Sequence, residues 1–264
     1  MNPVLLAVLL VGGIGVAAGL LLAVASKVFA VPVNEKEEGV NEILPGANCG
    51  GCGYSGCSGY AAALASGEVT DCSKCVAGGD ETAQALGEYL GLAAGSVEKS
   101  CAVVFCQGTP ENSAPKMEYR GDMTCASAMK LYGGAKTCAY SCVGYGDCVK
   151  ACPFDAISIV NTVAVVDKNK CRACGRCAAA CPKRIIDLVP VSQTGALVMC
   201  KNSDKGAAAK KACVTACIGC GKCMKVCEAN AITVKNFLAS VDRTKCTGCG
   251  KCAEACPDHC IIMR

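Results

Sequence analysis

Cysteine recurs in this chain in a fixed register. Displaced by 75 residues, the stretch from residue 125 onward lays cysteine on cysteine nine times without a gap. Cys125 meets Cys200, Cys138 meets Cys213, Cys142 meets Cys217, Cys148 meets Cys223 and Cys152 meets Cys227. Cys171 then meets Cys246, Cys174 meets Cys249, Cys177 meets Cys252 and Cys181 meets Cys256. Residues 125–199 and 200–264 therefore read as two copies of one module. Neither copy can build a large side-chain core, because the 264 residues include no Trp and only four Phe. Bound metal can hold such modules together, since its binding free energy becomes folding free energy.

Each module is itself double. In the second, CIGCGKCMKVC (217–227) precedes CTGCGKCAEACP (246–257), and both read Cys-x2-Cys-x2-Cys-x3-Cys. That spacing is the one used by bacterial two-cluster ferredoxins. Three thiolates on a short loop reach three irons of one cubane, and the fourth ligand comes from the other run. Cys217, Cys220, Cys223 and Cys256 form one expected set; Cys246, Cys249, Cys252 and Cys227 form its neighbour. Between the runs, AITVKNFLASVD alternates as a hairpin does, like AISIVNTVAVVD in the first copy. The 27 cysteines are odd in number and His259 is the only histidine. A disulfide scaffold and a zinc ribbon both fit that pattern poorly.

The first copy departs at one place, where Tyr145 occupies the position of Cys220. Cys138, four residues before Cys142, is the candidate replacement. The expected sets are then Cys138, Cys142, Cys148 and Cys181, and Cys152, Cys171, Cys174 and Cys177. The alternative is a three-iron cluster on Cys142, Cys148 and Cys181.

Upstream, GANCGGCGYSGC supplies Cys49, Cys52 and Cys57, and Cys75 is the expected fourth ligand of a further 4Fe-4S site, leaving Cys72 spare. Five clusters are expected in all. From Pro3 to Ser26 the chain carries no charge. At about 1.5 Å per residue that stretch spans roughly 36 Å, enough for a hydrocarbon core of about 30 Å. With no basic residue before Lys27, it reads as a retained anchor rather than a cleaved signal. Lys27 and Lys36 place the remainder in the cytoplasm, where unpaired thiols persist. Gly13, Gly15 and Gly19 imitate a dinucleotide fingerprint, but they lie inside the apolar run and read as helix-packing positions.

The anchor, LPGANCGGCGYSGC with Cys75-Val-Ala-Gly-Gly, and the modules containing CVKACPFDAI together resemble the B subunit of the Rnf complex, a membrane-bound ferredoxin:NAD+ oxidoreductase. The resemblance spans nearly the whole chain. Ser55 and Ala77 stand where the family commonly has Pro, which leaves every ligand in place. The resemblance implies an electron carrier on the cytoplasmic face of the cell (inner) membrane. It would accept electrons from reduced ferredoxin and pass them to flavin- and NAD-bearing subunits of a complex that moves Na+ or H+. Two other classes are an electron-transfer subunit of a different membrane redox enzyme and a reductant of a cluster-containing redox sensor.

The expected architecture is α+β: an anchor (1–30), a four-Cys domain (31–100), a connecting segment with the first ferredoxin-like module (101–199), and a second module (200–264). Cys72, Cys101, Cys106, Cys125, Cys200, Cys213 and Cys260 are left over, read as buried inert thiols or, alternatively, as a sixth metal site. AVVFCQG around Cys106 is similar to ALVMCKN around Cys200. Residues 31–120 carry a net charge of −7 and residues 121–264 a net +10. That basic half suits an acidic protein partner, although clusters of charge about −2 each offset much of it. It lacks the aromatic platforms of a nucleic-acid binder. No phosphate-cradling loop or Ser/His/Asp set accompanies the cysteines, so no catalytic residue beyond electron transfer is expected.

Overall fold

A computed structural model describes residues 3–28 and 34–264. The expected boundary between anchor and four-Cys domain, at residues 30 and 31, lies outside the described residues. Helix α1 (Pro3–Val28) contains the apolar window Leu9–Lys27, of mean hydropathy 2.3, none of it buried against the rest of the chain. Its length and composition suit a bilayer crossing.

The four-Cys domain is helical: α2 (Glu35–Ile43), α3 (Cys57–Ala65) and α4 (Gly79–Leu90), with a short 3-10 turn at Cys72–Lys74. Asn34 caps α2 by accepting the Lys36 N–H at 3.2 Å, and Glu35, Glu37 and Glu38 follow in the first turn, where the helix dipole favours acids. Val40 of α2 and Leu44, which caps its C-terminus, pack on Tyr60 and Leu64 of α3 and on Leu86 of α4. The buried Tyr60 hydroxyl is satisfied by donating to the Asp71 carbonyl at 2.7 Å.

Chain order through the first module is β1 (Ser100–Val104), α5 (Cys125–Met129), α6 (Asp147–Lys150), β2 (Ile157–Val160), β3 (Val163–Val166), α7 (Arg176–Ala180) and β4 (Ile186–Pro190). The second follows as β5 (Ala196–Val198), α8 (Gly206–Ala212), α9 (Lys222–Lys225), β6 (Ile232–Lys235), β7 (Leu238–Val241), α10 (Lys251–Glu254) and β8 (Ile261–Met263). In each module the first and last strands pair antiparallel, β1 with β4 and β5 with β8, and the middle two form a hairpin. The pairing of β5 with β8 draws residues 196–198 into the second module, a few residues ahead of the boundary expected at 200.

Both expected hairpins are present, with the same two-residue turn. Asn161 and Thr162 have φ of 46° and 62°, and Asn236 and Phe237 have 49° and 60°. Two consecutive positive φ values give the turn twist that matches right-twisted strands, and Asn tolerates the first of them. The module cores are built largely of thiols and small aliphatics. Cys142, Cys148 and Cys177 share one core with Ile157 and Ile186, and Cys217, Cys223 and Cys252 share the other with Ile232 and Ile261. Phe105, Val189 and Leu197 close a small apolar cluster between the modules.

Candidate metal centres

Every cysteine is a free thiol in this structure. In the second module the two runs are brought together as expected. Cys217, Cys220, Cys223 and Cys256 line one cavity. Cys227, Cys246, Cys249 and Cys252 line another. The loop of the first run passes directly against the hairpin turn: a Cβ added at Gly219 would lie 2.7 Å from Phe237 Cα, and its φ is +64°. Gly144, its equivalent in the first copy, would meet the Thr162 carbonyl oxygen at 2.6 Å. Only glycine permits that approach.

In the first module Cys142, Cys148 and Cys181 line a cavity, and the fourth thiol there is Cys125. Cys138, the replacement expected from sequence, lies in a separate cavity with Cys106, Cys200 and Cys213. The reason lies in how the two cysteines are anchored. Asp147 accepts the N–H groups of Cys125 at 2.9 Å and Ala126 at 3.0 Å, capping α5 and holding Cys125 at the cavity wall. The Cys138 N–H instead donates to Ser113 Oγ at 3.1 Å, and that hydroxyl donates to the Ala212 carbonyl of the second module at 2.9 Å. The Tyr145 ring packs on Tyr119, with centroids 5.7 Å apart. Cys106 is 36 residues from Cys142, whereas Cys200 is 17 from Cys217. The additional length in the first copy carries Cys125 and α5.

Cys152, Cys171, Cys174 and Cys177 are mutual neighbours; burial pushes the Cys177 thiol up to about 11, and the other three crowd it. Burial raises Cys75 as well, with Cys52, Cys49 and Cys57 around it. Cys72 is fully buried in the core of α2–α4, its thiol directed to the Thr70 carbonyl. The Cys49 and Cys52 loop abuts the first module: a Cβ on Gly51 would lie 3.1 Å from Cys174 Cα.

Two leftover thiols lie against expected ligands. Cys101 beside Cys171, and Cys260 beside Cys217 in the same cavity, each hold that partner below the ordinary thiol range. The Ala102 and Ala239 N–H groups also donate to those sulfurs, both at 3.4 Å. Sulfurs that accept several hydrogen bonds are set up to carry negative charge.

Among the described residues no three His, Cys, Asp or Glu side chains gather closely enough to share a single ion. A zinc ion would draw its sulfurs to about 3.8 Å of one another. Thiols ringed around open cavities, with apolar walls, fit polynuclear iron–sulfur clusters.

Comparison with known proteins agrees with this chemistry. A family model described as "Putative Fe-S cluster" matches residues 44–77. The "4Fe-4S dicluster domain" model matches twice, at 141–185 and 216–260. The chain is 45% identical over 99% of its length, and 78% of the relative's, to the B subunit of the Na+-translocating ferredoxin:NAD+ oxidoreductase complex of Acetobacterium woodii. It is 40% identical, over the full length of both chains, to the B subunit of the ion-translocating oxidoreductase complex of Methanosarcina acetivorans. Over 92% of its length and 86% of the relative's, it is 38% identical to the B subunit of the proton-translocating ferredoxin:NAD+ oxidoreductase complex of Clostridium ljungdahlii.

Proposed function

The chain belongs to the B-subunit family of the ion-translocating (Rnf) oxidoreductase complexes, and on that premise we propose that it takes electrons from reduced ferredoxin and relays them singly to flavin- and NAD-bearing subunits. The 4Fe-4S clusters that such thiols bind supply reversible one-electron chemistry. We assign five sets of ligands: Cys49, Cys52, Cys57 and Cys75; Cys152, Cys171, Cys174 and Cys177; Cys125, Cys142, Cys148 and Cys181; Cys217, Cys220, Cys223 and Cys256; and Cys227, Cys246, Cys249 and Cys252.

The observation that carries the reading is the succession of these thiol groups through touching loops, with Gly51 of the upstream domain against Cys174 of the first module. Backbone amides from Ala102 to Cys171, Ala239 to Cys217 and Ala231 to Cys227 stabilise charge on the thiolates and so favour the reduced state. The second module offers the donor a docking face. Cys220 and Cys249 are exposed there, beside exposed Lys222 and Lys225 and the apolar Met224 and Phe237. Exposed basic side chains together with exposed apolar ones suit an acidic carrier. Lys27, ending the apolar helix, supports a cytoplasmic location for this face.

The test is anaerobic mixing of the full chain, in detergent, with reduced ferredoxin. The visible absorbance of the bound clusters should bleach, and NAD+ should restore it only when the partner subunits are present. Failure to bleach would rule out ferredoxin as donor.

A further inference from the structure

Four thiols left over from those five sets meet at the seam between the modules. Cys106, Cys138, Cys200 and Cys213 line one cavity, as Cys217 and Cys142 with their partners line two others. Each module supplies two of the four. Cys106 and Cys200 follow β1 and β5, and Cys138 and Cys213 each precede the first thiol of a run by four residues.

The hydrogen bonding repeats with the thiols. The Gly108 N–H donates to Cys106 Sγ at 3.3 Å, and the Asn202 N–H donates to Cys200 Sγ at 3.4 Å. The Cys142 N–H donates to Cys106 Sγ at 3.3 Å, and its repeat partner Cys217 donates to Cys200. Asn202 Nδ2 reaches Cys138 Sγ at 3.5 Å. A neutral thiol is a weak acceptor and needs no such set of donors, whereas an anionic sulfur does.

Charge balance points the same way. Lys136 is 7% exposed, and its ammonium donates to the carbonyls of Gly108 at 2.6 Å and Thr162 at 2.9 Å. Among the described residues no carboxylate pairs with it. Its anionic neighbours can only be sulfurs: Cys106, Cys142, Cys138 and Cys213. A buried ammonium requires compensation, and metal-bound thiolates provide it.

We propose that Cys106, Cys138, Cys200 and Cys213 bind a further 4Fe-4S cluster that joins the two modules into one electron path. The inference rests on reading the chain as a cluster-bearing relay. Each passage is a one-electron reduction from one module followed by a one-electron oxidation toward the other. Cys142 and Cys217, assigned to the flanking sites, each reach the seam through a single N–H···S hydrogen bond.

The experiment is iron and acid-labile sulfide analysis of the full chain, purified anaerobically in detergent, beside EPR of the reduced protein. The expected content is about 24 irons and as many sulfides per chain, at four per cluster. Cys200→Ser and, independently, Cys213→Ser should each lower the iron content, by about one iron if a three-iron cluster survives and about four if none does, and change one component of the coupled EPR spectrum. Cys72→Ala should change neither. A wild-type content of about 20 irons that both serine variants leave intact would overturn the sixth site while leaving the relay standing. Iron without sulfide, or zinc in its place, would overturn both.

Discussion

The backbone N–H of Cys142 donates to the sulfur of Cys106 at 3.3 Å across 36 residues of sequence. One residue opens a cysteine run of the first module and the other ends the approach from β1. The cysteine loops are thus fastened to one another through their sulfurs, and mutations in a loop should register first as changes in cluster content.

Cys125 is the sharpest case. Cys125→Ser removes the fourth thiol from the cavity of Cys142, Cys148 and Cys181. The protein should lose about one iron and gain a three-iron EPR signal when oxidised. Adding Tyr145→Cys, at the position of Cys220 in the second copy, should restore the four-iron site. Cys138→Ser should produce no three-iron signal at that site.

Gly219→Ala places a Cβ 2.7 Å from Phe237 Cα at a φ of +64°. The expected cost is about 1–3 kcal/mol, read as a lower thermal midpoint and as earlier loss of iron on heating. An equal effect from Gly221→Ala, which has open space around it though a similar φ, would show that backbone strain alone is responsible.

Much of this was legible in the cysteines. Their register gave the two modules, and the alternation between runs gave the β2–β3 and β6–β7 hairpins. The likeness of AVVFCQG to ALVMCKN pointed to β1 and β5 as equivalent strands, each leading to a thiol of the seam. Cys125 was hidden because the 75-residue register pairs it with Cys200, while its anchor, Asp147, lies 22 residues away and acts through backbone amides. Cys138 looked like the substitute because it is near Cys142 in sequence. Its direction is fixed by Ser113 and the second module, which no local pattern records.

Lys222 and Lys225 stand on the exposed side of α9. Lys222→Glu with Lys225→Glu should raise the KM for ferredoxin about tenfold at low salt while leaving kcat unchanged. The difference should shrink as ionic strength rises and the Debye length falls below about 8 Å. A lower kcat with unchanged KM would place the donor elsewhere.

Stripping the metal separates the domains by what holds them. The module cores depend on thiols such as Cys142, Cys148, Cys217 and Cys223, whereas α2–α4 close on Val40, Leu44, Tyr60, Leu64 and Leu86. After anaerobic chelation, hydrogen exchange should show lost protection in β2–β3 and β6–β7 and retained protection in α3. Uniform retention would mean that the modules fold without metal.

Coulometric titration of the full chain with a low-potential reductant tests the relay itself. The account predicts uptake of about six electrons per chain in one-electron steps, one for each bound cluster. No uptake, or uptake only in two-electron steps as for a disulfide or a flavin, would contradict it.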